Sequence, residues 1–355
     1  MVQPTLSEHD NAPIAVSEGN AAKNAAEWAA LGGLRFMLAS IVFCTHIGAF
    51  VRLPFAVAHV ADAGAFAAVL GFFVVSGYSI AASLSREKRG FYERRFARIY
   101  PVYFVCMILS CVPFLIYGPV LQMMSGSVEA PKSVWPIIGN FFLLGGVVVP
   151  EIPTNAVVWS LVIEVIYYFF APFFMQLRTR YLIALIAASC LIYWLHSLFT
   201  VPEFNTGLYG SYGALALLWA WLFGFLIYRC SGNKVIQSSS LIIGYLLLGR
   251  FDQFASAHFS CAVFIMSVLI VISARDVFLP SRMIRFLEYL GELSYPLYLC
   301  HFPILLMLYG NQAKVSWAIG MASVFAGAIF LLHAIDLPYR AYAQRHRTLR
   351  KLASL

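Results

Sequence analysis

Two ionisable side chains interrupt an apolar run near the start of the chain, Arg35 and His46 in LRFMLASIVFCTH (34–46). At about 100° per residue, eleven residues make roughly three turns plus 20°, so on a helix the two share a face. At about 1.5 Å per residue they stand roughly 16 Å apart along the axis, too far to touch. A single ligand spanning them would need an anionic end for the guanidinium and a reactive end for the imidazole. Acyl-coenzyme A has that layout, with phosphates at one end of an extended arm and a thioester at the other. Imidazole titrates near neutral pH and is cheaper to bury than a carboxylate, which suits His46 to act as a base. Taken alone, the helix has a plainer reading: an arginine snorkelling to lipid phosphates and a histidine bonded to a neighbouring helix.

Other stretches carry chemistry as well. WSLVIEVIYYFFAP (159–172) places Glu164 inside an apolar helix, with Tyr167 three residues on along the same face and Trp159 five residues before. Glu164 would orient His46 or serve as a second base, or else make a protonated helix–helix contact. Tyr167 would donate to Glu164. Trp159 would stack on a sugar or act as an ordinary interfacial aromatic. SYPLYLCHFPI (294–304) holds His301, either a substrate-site residue or core packing. In GFFVVSGYSI (71–80) the Ser76-Gly77 pair would bend the helix or let a ligand approach the backbone. Arg94, Arg95 and Arg98 in FYERRFARIYP (91–101) would complete a phosphate patch with Arg35, although a basic loop is expected in any membrane protein. Asp336 in HAIDLP (333–338) reads as an end-of-helix device pairing with the basic residues. A metal site needs several ligands gathered together, and only distant segments supply them here, so none is expected.

The elements that must position these groups follow from composition. The 355 residues are 61% hydrophobic and only 11% charged, against about 25% charged in soluble domains. So little polar surface cannot cover a globule in water, and the chain reads as an all-α polytopic membrane bundle. Ten apolar segments qualify as spans, near 33–51, 64–84, 100–121, 157–177, 181–199, 210–228, 235–249, 257–274, 288–308 and 314–335. Ile137–Val149 is short and contains Gly-Gly, and reads as re-entrant. With both termini cytoplasmic, the inner segments hold twenty of the 24 Lys and Arg. The net charge of +8 belongs to those loops, which argues against a nucleic-acid partner. Residues 1–27 read as a disordered polar arm, 28–340 as one transmembrane domain and 341–355 as a basic tail.

The ordered set of motifs resembles the acyltransferase 3 family of integral membrane acyltransferases, from Leu34 to about Arg340. It opens on Arg-x10-His, continues through the Ser-Gly, RIYP, WSLVIE and SYPLYLCH segments, and closes on an acidic-x-Pro. Tyr78 and Asp336 depart from the usual residues but keep their character. The resemblance implies acyl transfer, mostly of acetyl from cytosolic acetyl-CoA, to a hydroxyl of a surface carbohydrate or glycolipid, in a bacterial inner membrane. The rival reading is a secondary transporter or flippase for a polysaccharide precursor, with Arg35, His46 and Glu164 as its ion pathway.

Overall fold

A computed structural model describes residues 12–124, 126–199, 210–249 and 257–353. The helices run in order α1 (Ala12–Ile47), α2 (Phe55–Ala61), α3 (Ala65–Arg86) and α4 (Phe91–Tyr117). A short antiparallel hairpin of β1 (Val120–Met123) and β2 (Gly126–Glu129) follows, with Leu121 opposite Val128. Next come α5 (Val134–Phe141), α6 (Val158–Gln176), α7 (Thr179–Phe199), α8 (Gly210–Ala216), α9 (Leu218–Arg229) and α10 (Lys234–Gly249). The chain continues with α11 (Ala257–Ser273), α12 (Ser281–Tyr309) and α13 (Trp317–Leu331), then a π-helical turn at Leu332–Asp336 and α14 (Leu337–Ala353).

Among the described residues, eight helices are long and apolar enough to cross a membrane, and α9 and α10 are shorter apolar helices. Together they occupy the ten expected segments, with α8 and α9 sharing the sixth. Only helices satisfy every backbone polar group within one segment in lipid, which is why an apolar chain of this kind is so helical. The Ile137–Val149 stretch holds α5 and then tight turns through Leu143 (φ 60°) and Gly146 (φ 73°), so it does not span.

The first helix departs from expectation. It runs back to Ala12, into the stretch read as an arm, and residues 1–11 lie outside the described residues. Ala26, Ala29 and Leu31 are buried. An alanine-rich segment with Lys23, Asn24 and Glu27 looks polar to hydropathy, but alanine favours helix and lets neighbours pack closely. Arg35 therefore sits near the middle of the apolar part of α1 (Ala22–Ile47) rather than at its mouth, and His46 is its penultimate residue.

Two helices form the centre: α3 and the apolar part of α12 are mostly buried, whereas most of α7 is not. The most extensive packings are α1 on α12 and α3 on α9. Both rest on glycine. A Cβ on Gly291 would lie 2.6 Å from Gly32 Cα, and a Cβ on Gly77 would lie 1.9 Å from the Trp221 carbonyl oxygen. Small residues let backbones approach in a bilayer, where no hydrophobic effect drives helices together.

At one end of the bundle the arginines collect. Arg275 Nε donates to the Tyr78 hydroxyl (2.9 Å), which donates to Glu27 (2.7 Å), joining α1 and α3 to the end of α11. Arg340 on α14 bonds Glu292 on α12 and pairs with Asp336 at 3.0 Å. Asp336 thus pairs with a basic residue as its position suggested. This is the basic end of the bundle; the opposite one is the far end.

Candidate active site

From the basic end a cavity of about 880 Å³ enters the bundle between α1, α3, α4, α6 and α12. Drug- and cofactor-sized sites span about 300–1,000 Å³. Its α3 wall runs from Arg86 to Val69, about 25 Å at 1.5 Å per residue. The mouth is charged. The inner end, at Val69, Phe72, Ser160, Leu161 and Tyr298, is apolar apart from two hydroxyls.

One face of α3 carries serines at helical spacing, Ser76, Ser79 and Ser83, all lining the cavity. Arg35 Nη2 donates to Ser79 Oγ (2.6 Å), whose hydroxyl donates to the Val75 carbonyl (2.7 Å). Arg95 Nη2 donates to Ser83 Oγ (3.1 Å), and its Nε is buried with no partner. Arg98 lines the same wall with no hydrogen bond or ion pair among the described residues. Of the acidic lining residues, Glu87 is paired with Arg94 (3.1 Å) and Glu292 with Arg340. Arg35, Arg95 and Arg98 form no ion pair among the described residues and present N–H donors to one space that Glu164 and Glu288 also line, three cations that suit an anionic ligand.

Glu164 also lines the cavity, held by a hydrogen bond from the Tyr168 hydroxyl. Ser76 Oγ donates to that hydroxyl (3.3 Å), and Trp221 Nε1 donates to Ser76 (3.2 Å). The donor to Glu164 is therefore Tyr168, not Tyr167. Tyr167 is buried elsewhere, donating to the Ala214 carbonyl (2.8 Å) and packing on Phe73 and Trp221. Both lie near Glu164 along the helix, at three and four residues, and only the neighbours decide which one turns toward it. Gly77 is likewise turned away from the cavity, onto the backbone of α9, and α3 runs unbroken through Ser76-Gly77. Trp159 sits half-buried in the first turn of α6 and does not line the cavity.

His46 and His301 do not line it either. They meet beyond its inner end, with His46 Nδ1 3.0 Å from His301 Nε2 and the rings stacked at 5.2 Å. The other nitrogen of His301, Nδ1, lies 3.1 Å from the Leu297 carbonyl. A carbonyl only accepts, so Nδ1 of His301 carries a proton. In the neutral pair its Nε2 then accepts from His46 Nδ1–H, which leaves His46 Nε2 with a free lone pair. His301 is wholly buried while His46 is only half-buried. Phe43 packs edge-on against His301, and Phe302 edge-on against His46. Glu164, expected as a partner of His46, hydrogen-bonds Tyr168 instead.

The far-end loop between α5 and α6 secures this arrangement. Pro303 has no N–H to give to the Leu299 carbonyl one turn back, and Asn155 Nδ2 supplies that bond (3.2 Å) while also donating to Ser110 Oγ on α4 (3.1 Å). Asn140 clamps the same loop through the Pro136 and Pro150 carbonyls (2.7 and 2.8 Å). Within it Glu151 packs over Gly146 with Oε1 buried and unpartnered, and burial pushes its carboxyl up to about 7. A carboxyl that is easier to protonate folded than unfolded contributes stability below its ordinary value of 4.5, and loses it as pH rises through about 7. Detergent-solubilised protein should accordingly melt at a higher temperature at pH 5 than at pH 8, and Glu151→Gln should flatten that slope. An unchanged slope in the variant would exclude Glu151 as its source.

Ser79, Ser83 and Tyr168 escape notice in the sequence. The serines at three- and four-residue intervals after Ser76, and the tyrosine four after Glu164, are the signals that point to them.

Comparison with known proteins agrees with the architecture. The acyltransferase domain family profile, acyltransferase 3, matches residues 28–335. The chain is 34% identical over 160 residues to a protein described as acyltransferase MdmB from Streptomyces mycarofaciens, an alignment of 41% of this chain and 39% of that relative. That match therefore spans about two fifths of the relative's length. No solved structure matches the chain. Because the family profile runs from the buried part of α1 to the π-helical turn after α13, taking in the cavity walls and both histidines, the chain belongs to the acyltransferase 3 family of membrane acyltransferases.

Proposed function

We propose that the protein is an O-acyltransferase of a bacterial inner membrane, taking an acyl group, by preference acetyl, from cytosolic acyl-CoA. The acceptor is a hydroxyl of a surface or exported carbohydrate or glycolipid. The basic end faces the cytoplasm, in keeping with the bias of Lys and Arg to that side. The observation that carries this reading is the cavity itself: three arginines outside any ion pair at and below its mouth, and an apolar inner end that stops beside a histidine pair.

In this reading Arg95 and Arg98, with Arg35 deeper, bind the phosphates of the donor, and Ser76 holds Tyr168 for Glu164. The arm of the donor lies along α3, with the thioester at the inner end. His46 Nε2 removes the proton of the acceptor hydroxyl as its oxygen attacks the thioester carbonyl. The carbon–sulfur bond breaks, and the departing sulfur takes up the proton from the imidazolium, so that an ester and free CoA thiol result. His301 holds His46 by Nδ1 and stabilises the proton gained, a positioning role. Family membership favours acyl transfer over the transporter alternative.

The test uses membranes containing the full chain and acetyl-CoA labelled in the acetyl group, followed into the host's surface glycan. Arg98→Ala should raise KM for acetyl-CoA by about tenfold or more, the loss of one charge-assisted contact, with kcat little changed. Equal label in membranes with and without the protein would remove the glycan acceptor. Failure of both CoA and acetyl-CoA to raise the melting temperature of the purified chain would remove the donor.

A further inference from the structure

One ring touches both the cavity and the histidine pair. Tyr298 lines the inner end of the cavity and packs edge-on against His301 at 6.2 Å, one turn further along α12. It is 9% exposed and braced from two other helices. From α6, Ser160 Oγ lies 2.7 Å from its hydroxyl, which also reaches the Val157 carbonyl at 3.4 Å. From α3, Phe72 packs edge-on at 5.4 Å. A ring held at its tip and along its edge cannot swing aside as a surface tyrosine would, because every rotamer change breaks one of these contacts.

We propose that Tyr298 is the acyl-size determinant of this enzyme. Its ring, backed by Phe72 and pinned by Ser160, bounds one side of the inner end of the donor cavity, so that the acyl group must fit past its edge to come within reach of His46. A two-carbon acyl group adds little beyond the thioester carbonyl, whereas each further methylene has to be accommodated between Phe72, Leu161 and the Tyr298 ring. Nothing in the ester-forming step changes with chain length: the same carbon–oxygen bond forms, the same carbon–sulfur bond breaks, and the proton returns to sulfur. Selection is steric and acts on where the carbonyl carbon comes to rest. The inference builds on the acyl-CoA reading of the cavity.

The measurement is the dissociation constant of acetyl-CoA and of butyryl-CoA for the purified, detergent-solubilised full chain. The quantity read is their ratio, which does not depend on how much of a preparation is folded. A hydrophobic pocket discriminates by about tenfold or more per methylene, so the parent should bind butyryl-CoA, two methylenes longer, at least about a hundredfold more weakly than acetyl-CoA. Tyr298→Ala should bring the ratio close to one, and Tyr298→Phe, which keeps the ring, should stay near the parent. Should Tyr298→Ala not fold, Phe72→Ala opens the same wall from α3 and should shift the ratio in the same direction. If acetyl-CoA binds and the ratio is unmoved by truncating either ring, Tyr298 is not the determinant although the donor reading stands. If the parent binds neither thioester, the donor reading falls and the proposal with it.

Discussion

Membranes containing His46→Ala should transfer acyl groups about a hundred- to ten-thousand-fold more slowly than the parent, the range lost with a positioned general base. The expectation rests on one nitrogen. The chain of bonds from Leu297 through His301 fixes the protons so that Nε2 of His46 is the unprotonated position. His46→Gln should be nearly as impaired, since an amide fills the space but takes up no proton. His301→Ala should retain more activity than His46→Ala, because it removes the orientation of the base and not the base. It should also shift the pH–rate profile, since the proton gained by His46 loses its partner. Labelled acetyl transfer, normalised to the amount of protein in the membrane, separates these outcomes. Transfer by His46→Ala at the parent rate would place the chemistry elsewhere in the bundle. Donor affinity should be unaffected, because His46 lies outside the arginine-lined cavity.

The second large effect is on folding. Gly77→Val should leave little monodisperse protein, because even the first added carbon would fall 1.9 Å from a backbone oxygen of Trp221. Gly224 faces α3 in the same way: a Cβ added there would lie 1.9 Å from the Val74 carbonyl oxygen. A flexible side chain would yield, but here the obstacle is a helix backbone, so α3 and α9 must move apart along one of the most extensive contacts in the bundle. Overpacking of well-packed interiors costs about 1–3 kcal/mol and more where the neighbours are rigid. Gly77→Ala and Gly224→Ala should each lower the melting temperature markedly, and the pair should not add, since both act on one crossing. If Gly77 instead served as a close approach for the donor, Gly77→Ala would fold normally and raise KM for acetyl-CoA. Size-exclusion profile and melting temperature, read beside KM, distinguish the two.

Much of this protein follows from the order of its residues. Low charge and recurring apolar segments make it a helical membrane protein, and the ten segments found by hydropathy are the ten places where apolar helices stand. The motif order leads to the family, and Arg35, Arg95, Arg98, Ser76 and Glu164 line one cavity. These properties are local: solvent preference, helical period and spacing along one chain segment are enough to determine them.

What the tertiary structure decided are the matters of which neighbour each face meets. His301 stands 255 positions from His46, and only the parallel packing of α1 on α12 across Gly32 and Gly291 makes it the partner of that imidazole. Tyr168 rather than Tyr167 holds Glu164 because α6 turns its Tyr167 side to α8 and α9. Gly77 serves packing because α9 lies against it. Arg35 is deep because an alanine-rich segment too polar for hydropathy packs as helix beneath it. In each case the helix and its faces follow from residues a few positions apart, whereas the contact depends on the register between helices far apart in sequence, which is settled by side-chain and backbone shape across the whole bundle.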